Sequence, residues 1–498
     1  MKNLYLCLIL LSLTTGTFSQ GINYSLKGTV NKKIIDPSGS ITIDEGRKVT
    51  INRLMNHPVY GYCYVVGDGI IISAGDLSKI SLDNLMDRAQ VWQRLRLEKG
   101  LDLYHLQNGY SYELRKDLED ESLDMLSNFQ KNYGFYDDAF LNEYLHSILY
   151  KIHPITPGDG RPGNLDIKVI NSSEPNSFST SGGTVIITTG MLSTIMSEDE
   201  LYAVIAHEVA HFALDHQVLN IIKETQRQKR AEFWSTVATA AVATAELYSA
   251  QKNESYGYYL PIGTLTSVTD ILSTSVAALI SQRLGAKYNN EQEREADKAA
   301  IEILTFLKKD PKALSAALTR LKEYYLLNGD MIALSSAGTQ PSLNQRIADI
   351  GSVDINNYID EKYNKIISFI NSYNAIEEYN RSHFETALNL ANRNINSGVS
   401  IEDDLVLKAI CLRTLYDTQE SNQEALKLIN KAKTLDITPN VNIYKQEGIT
   451  LLRLGKYYDA VIAFKVYLGK LESQEVKTDY ITSEIEWSRK MIYKAALL

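Results

Sequence analysis

The spacing of apolar positions changes twice along the 498 residues. Between about 22 and 73 it alternates, as in Ser40-Ile41-Thr42-Ile43-Asp44 and Lys48-Val49-Thr50-Ile51-Asn52. Residues 60–72 are aromatic and β-branched, with Gly67-Asp68-Gly69 as a turn, so this part predicts a small module of short strands. Helical spacing follows over 82–99, 112–129 and 136–151, and a Pro/Gly-rich loop over 154–162 leads into a strand over 165–170. Thr184-Val185-Ile186-Ile187-Thr188 is β-branched throughout and bounded by Gly182-Gly183 and Gly190, which predicts another strand. Ser197 and Glu200 form a capping-box pattern ahead of the apolar run 201–206.

From about residue 356 the pattern is helical and repeats. Tyr444, Gly448, Leu451, Gly455, Tyr457, Ala460 and Phe464 fall on the spacing of a tetratricopeptide repeat, in which paired helices stack through small residues. Ala375, Phe384, Ala387 and Ala391 fit the same register. Ala409, Leu412, Ala425, Ile429 and Ala432 fit once four extra residues around Asp417 to Glu420 are allowed. Three degenerate repeats suffice for a stacked array, which offers a concave surface to proteins or peptides.

Met1-Lys2-Asn3, the apolar run 4–13 and the small residues that follow read as a secretory signal peptide over 1–19. Ten apolar residues are too few to span a bilayer, which takes about 20. Beyond that segment only Cys63 and Cys411 remain, which supports neither a disulfide framework nor a cysteine metal site. The net charge of −9 argues against nucleic acid or an anionic membrane surface as partner. Two Ala/Thr/Ser-rich stretches, 233–250 and 262–284, are interrupted by Glu246 and Asp270. Neither makes a clean membrane span, and a soluble helical cover is the expectation.

The chemistry concentrates in His207-Glu208-Val209-Ala210-His211. Two imidazoles four apart share one helical face and can reach one metal ion, while Glu208 is placed to serve a water rather than the metal. A catalytic zinc site needs three protein ligands and an open position. One class of such sites takes its third ligand from a His six residues beyond the second, after a Gly; Gln217 and Leu214 occupy those positions here. His216 lies one residue off that register, on a different face of a continuing helix. The other class takes a Glu from an E-x-x-x-D pattern, which Glu293-Arg294-Glu295-Ala296-Asp297 supplies. Glu293 and Asp297 share a face, so Glu293 is the expected ligand and Asp297 the group that orients a ligand imidazole. Glu295, roughly opposite, is the second choice.

With these motifs the chain resembles the gluzincin metallopeptidases that include HtpX, the CAAX prenyl endopeptidases and the periplasmic BepA-type proteases. The resemblance runs from about 132 to 350, through 176–192, His207 to His211, Glu293 to Asp297, and Gln340-Pro341-Ser342-Leu343-Asn344-Gln345-Arg346-Ile347. It implies an α+β, mostly helical fold: a zincin-type peptidase core with a small sheet, preceded by the β module and followed by an α-solenoid. It also implies that Thr184, Val185, Ile186 and Ile187 form an edge strand that binds extended substrate, and that Arg346 faces the active site and stabilises a developing oxyanion. Gln340 stands where the family typically has His, so a metal-capping role is not expected there.

The domains expected are the signal peptide 1–19, β module 20–80, helical connector 81–131, peptidase 132–354 and repeats 355–498. The function implied is an exported zinc endopeptidase with one Zn²⁺ per chain. Its compartment would be the periplasm of a Gram-negative cell, with secretion as the second option, and its substrates misfolded or misassembled envelope proteins. Repeats that bind partners would be separable from the chemistry. The rival reading is a chaperone-like adaptor whose repeats do the work beside a latent metal site.

Overall fold

The structure is a computed structural model. It describes residues 21–107, 135–152, 165–180, 182–224, 288–329, 342–355, 360–435, 440–474 and 478–498, with isolated positions between 117 and 131. The expected signal peptide, most of the helix over 112–129, the two apolar stretches and Gln340 lie outside the described residues.

The alternating N-terminal segments form strands β1 (Gly21–Val30), β2 (Ile34–Ile35), β3 (Thr42–Ile43), β4 (Lys48–His57), β5 (Gly61–Val66), β6 (Ile70–Ser73) and β7 (Ile80–Leu82). Five make an antiparallel sheet in the order β6-β5-β4-β1-β7, and β2 and β3 pair separately. Tyr24, Leu26 and Val30 point inward while Ser25 and Lys27 face solvent, the period-two pattern of a sheet with one covered face. Helices α1 (Arg88–Glu98) and α2 (Leu101–Gln107) provide the cover. α1 begins later than its apolar pattern suggests, because Asp87 caps it by accepting a hydrogen bond from the Gln90 N–H. Its Leu97 packs into the sheet's core, whereas Val91, Trp92 and Leu95 belong to the next core.

That second core is built by α3 (Ala139–Ile152), β8 (Asp166–Ile170), β9 (Ser177–Ser179), β10 (Thr184–Thr188), α4 (Thr189–Thr194), α5 (Glu198–Ala213), α6 (His216–Glu224), α7 (Asn290–Phe306), α8 (Ala313–Leu327) and α9 (Leu343–Ile350). α5 runs through its centre, with Glu200 to Ala213 all buried. Ser197 Oγ accepts from the Glu200 N–H, as the capping pattern predicts. The Glu200 carboxylate reaches one residue further back, to the Met196 N–H, and pairs with Arg320 of α8. The three-stranded sheet has the order β8-β10-β9.

Helices α10 (Glu361–Asn380), α11 (Phe384–Asn396), α12 (Glu402–Leu415), α13 (Gln419–Ala432), α14 (Val441–Arg453), α15 (Tyr457–Glu472) and α16 (Asp479–Leu497) form the C-terminal stack. Each packs on the next, and α10 also meets α12, and α12 meets α14, as in a solenoid of helical pairs. Gly448 permits a close crossing of α14 and α15: a Cβ there would lie 2.4 Å from the Phe464 ring. The stack is not separate from the core around α5. Tyr363, Ile367 and Ile370 of α10 are buried in the same apolar cluster as α5, so packing crosses the expected division at 354/355.

Candidate active site

α7 packs along α5 and brings Glu293 beside the two histidines. The His207 and His211 Nε2 atoms face each other at 3.1 Å, and Glu293 reaches them at 3.5 Å (Oε2 to His207) and 3.8 Å (Oε1 to His211). One ligand atom from each residue lies within 4.8 Å of the others. Two nitrogens bound tetrahedrally to one zinc would be roughly 3.3 Å apart, given Zn–N distances of about 2.0–2.1 Å. Glu293 Oε2 is buried with no hydrogen-bond partner, and buried carboxylate oxygens are ordinarily paired. Two imidazoles and a carboxylate, one of whose oxygens accepts no hydrogen bond, fit a zinc ion. Glu295 does not join them: it turns to His216 and Lys99.

The outer groups are charged. Asp297 Oδ1 lies 2.9 Å from His207 Nδ1, close enough to accept its N–H and fix its orientation. Arg346 of α9 donates to both Asp297 oxygens, at 3.0 Å from Nε and 2.6 Å from Nη2, while its Nη1 forms an ion pair at 3.2 Å with Glu293 Oε2 that lacks hydrogen-bond geometry. Burial by itself would raise the Asp297 carboxyl, yet Arg346 and then His207 hold it well below the usual carboxylate range. Every nitrogen of the guanidinium thus faces a carboxylate. The expectation that Arg346 stabilises an oxyanion gives way to one in which it holds Glu293 and Asp297 in place.

Sequence reasoning missed two neighbours of His211. Tyr288 stacks on it, with ring centroids 3.6 Å apart and planes 17° from parallel. His216 Nδ1 lies 2.9 Å from His211 Nδ1. The expectation of a different face assumed one continuous helix; α5 instead ends at Ala213, and Asp215, with φ of +56°, turns the chain so that His216 folds back.

Glu208 is buried, and burial pushes its carboxyl up despite the opposing pull of His207. Ser177 Oγ donates to Glu208 Oε1 at 2.7 Å. Ser177 belongs to β9, and here the edge-strand expectation is corrected. β10 is the middle strand, parallel to β8 over Thr184–Thr188 and antiparallel to β9 over Val185–Ile187, so Thr184, Val185, Ile186 and Ile187 cannot take up a further strand. The outer strands are β8 and β9, and it is β9 that carries Ser177 to the site. A cleft of about 260 Å³ opens beside it, lined by Ser177, Phe178, His207, Glu208, Glu293 and Arg346 on one side and by apolar residues of α8, among them Leu314 and Leu318, on the other.

Residues 141–354 match the profile described as peptidase family M48. Similar proteins include the protease HtpX of Glaesserella parasuis serovar 5, 31% identical over 122 residues, which are 24% of this chain and 43% of that one. The putative beta-barrel assembly-enhancing protease of Vibrio cholerae is 24% identical over 196 residues, 39% of this chain and 36% of its own. The beta-barrel assembly-enhancing protease of Escherichia coli K12 is 22% identical over 185 residues, 37% and 33%. The chain thus spans less than half the length of each of these relatives. Matched profile, protease-named relatives and the clustered His/Glu donors agree: this chain carries a peptidase family M48 domain, that of a metallopeptidase.

Proposed function

We propose that the protein is an exported zinc endopeptidase that cuts misfolded or misassembled envelope proteins. The observation that carries the reading is the convergence of His207, His211 and Glu293 on one point, with Glu208 beside it in an open cleft. A bound zinc would supply the Lewis acidity that makes water nucleophilic near neutral pH and polarises a peptide carbonyl. Glu208 takes the water's proton and returns it to the leaving amine. The hydrogen bond from Ser177 holds one of its oxygens in place and leaves the other for that transfer. Asp297 and Arg346 keep the ligands His207 and Glu293 oriented.

An extended substrate would add to β9. Phe178 pairs with Ile186, flanked by the Thr180–Thr184 and Thr188–Asn176 hydrogen bonds, so by antiparallel alternation the backbone groups of Ser177 point away from β10. The substrate class rests on two relatives named for β-barrel assembly, the spanning architecture of outer membranes. No helix among the described residues is long and apolar enough to cross a membrane.

The test is cleavage of denatured casein by the purified chain, abolished by chelator and restored by zinc. Glu208→Gln should keep its zinc and lose about 10²–10⁴-fold in rate. Full turnover in a zinc-loaded Glu208→Gln protein would remove Glu208 from this role. Metal binding with no cleavage of any denatured protein would favour the adaptor reading.

A further inference from the structure

We propose that His216 and Glu295 are positioning residues for His211, forming a chain that sets its tautomer and ring plane; this rests on the zinc reading above. His211 is 1% exposed, and its Nε2 faces His207 and Glu293. A ring that gives its Nε2 lone pair to a metal carries its proton on Nδ1, and that buried N–H needs an acceptor. His216 Nδ1, at 2.9 Å, accepts it. His216 must then be the tautomer protonated at Nε2, which lies 3.2 Å from Glu295 Oε2. Glu295 is fixed in turn by an ion pair with Lys99, just beyond α1. Every proton in the chain therefore has one direction: from His211 to His216, and from His216 to Glu295.

The backbone that makes this possible is itself held. Asp215 sits in the left-handed region, where a residue with a side chain needs support. Arg96 supplies it, donating to Asp215 Oδ2 at 2.9 Å and to the Ala213 carbonyl at 2.6 Å, with His105 3.0 Å away on the same carboxylate. Packing alone would explain a buried His216, which is 0% exposed. It does not explain why both of its ring nitrogens meet matched partners on either side. The two ligand histidines are thus oriented differently: His207 by a carboxylate directly, His211 by a carboxylate through a second imidazole.

The experiment measures zinc affinity by competition with a chromophoric chelator, together with the melting temperature of the metal-free protein and the visible spectrum of its Co²⁺ form. His216→Phe keeps a buried ring but cannot accept the proton. It should weaken zinc about 10–100-fold and alter the Co²⁺ bands. His216→Asn, whose amide oxygen can accept, should recover part of that affinity. Glu295→Ala, at a partly exposed position, should weaken zinc less than His216→Phe. If His216→Phe lowers the metal-free melting temperature, His216→Asn and Glu295→Ala together decide the question. Wild-type affinity and spectrum in both would overturn the chain, as would wild-type affinity in a stably folded His216→Phe. Glu293→Gln separates the two levels: if it too leaves zinc affinity unchanged, the metal site has been misread. If it abolishes binding while the His216 variants do not, only the positioning chain fails.

Discussion

The two ends of the C-terminal stack are built on different terms. At the near end, the α10 cap Asp360 accepts the Glu198 N–H of α5 at 3.3 Å, and its own N–H donates to the Met196 carbonyl at 3.0 Å. Tyr363 Oη donates to the Leu192 carbonyl, Asn374 bonds Ser193 and Thr189, and Arg393 of α11 donates to the carbonyls of Ser193 and Ile195. At the far end, Leu451, Ala460, Ala463, Phe464 and Ala495 form a small core of their own. The first helical pair is a wall of the catalytic domain, whereas the last is an appendage that contacts its neighbours.

The hardest test of that contrast is truncation. A chain ending at residue 354 removes Tyr363, Ile367 and Ile370 from the core around α5 and should fail to fold, seen as loss of a cooperative melt and of zinc binding. A chain ending at Leu435 keeps α10 to α13 and should bind zinc and cut a short unstructured peptide at close to the full-length rate. A folded, zinc-loaded chain ending at 354 would erase the distinction.

Matched cavities sharpen it. Ile367→Ala should cost about 2–5 kcal/mol and Phe464→Ala about 3–5 kcal/mol. The expected difference lies in where the loss is felt: Ile367→Ala lowers the temperature at which zinc and activity are lost, while Phe464→Ala accelerates hydrogen exchange in α14 to α16 and leaves that temperature unchanged. A smaller effect is expected at Arg393, which is buried and gives hydrogen bonds to two carbonyls. Arg393→Met should destabilise the catalytic domain by about 1–3 kcal/mol, measured by denaturant melts.

Much of this was legible in the chain. His207, Glu208, His211, Glu293 and Asp297 came together as their helical spacing required, because α5 and α7 are regular helices with intact caps. The strand at Thr184 to Thr188 was legible too, because an unbroken β-branched run marks a strand buried on both faces, but side-chain pattern does not say whether its backbone edges are paired. His216 was misplaced because one left-handed residue, Asp215, redirects everything after it, and no periodicity announces a single φ. The embedding of α10 was hidden for another reason. Its repeat-register residues and its core-facing residues lie on one 20-residue helix with apolar positions on several faces, so the pattern cannot say which face meets which neighbour.

An effect of similar size, confined to the stack, depends on pH. Burial, then Glu402 and Asp404, push the Asp403 carboxyl up to about 7. The folded form therefore holds this proton when the unfolded chain, near the ordinary value of about 3.9, has released it. Stability from this group is full at low pH and falls as pH rises from about 4 to about 7. Asp403→Asn should stabilise the stack by roughly 1–3 kcal/mol at pH 8 and by less at pH 5. Equal gains at both pH values would show that Asp403 is ionised in the folded protein.

Arg96 has a consequence at the opposite end of the molecule. By donating to the carbonyl of Ala213, the last residue of α5, it puts a cation at the negative pole of the helix that carries His207 and His211. The same guanidinium neutralises Asp102, which accepts the Tyr24 hydroxyl from β1. The helix α1, which covers the sheet of the β module, thus supplies a C-terminal cap for the catalytic helix from more than 100 residues upstream. Excising residues 141–354 along the family boundary would take Arg96 and His105 away from Asp215 and the α10 wall away from the core. The unit that has to fold is then larger than the unit that performs the chemistry.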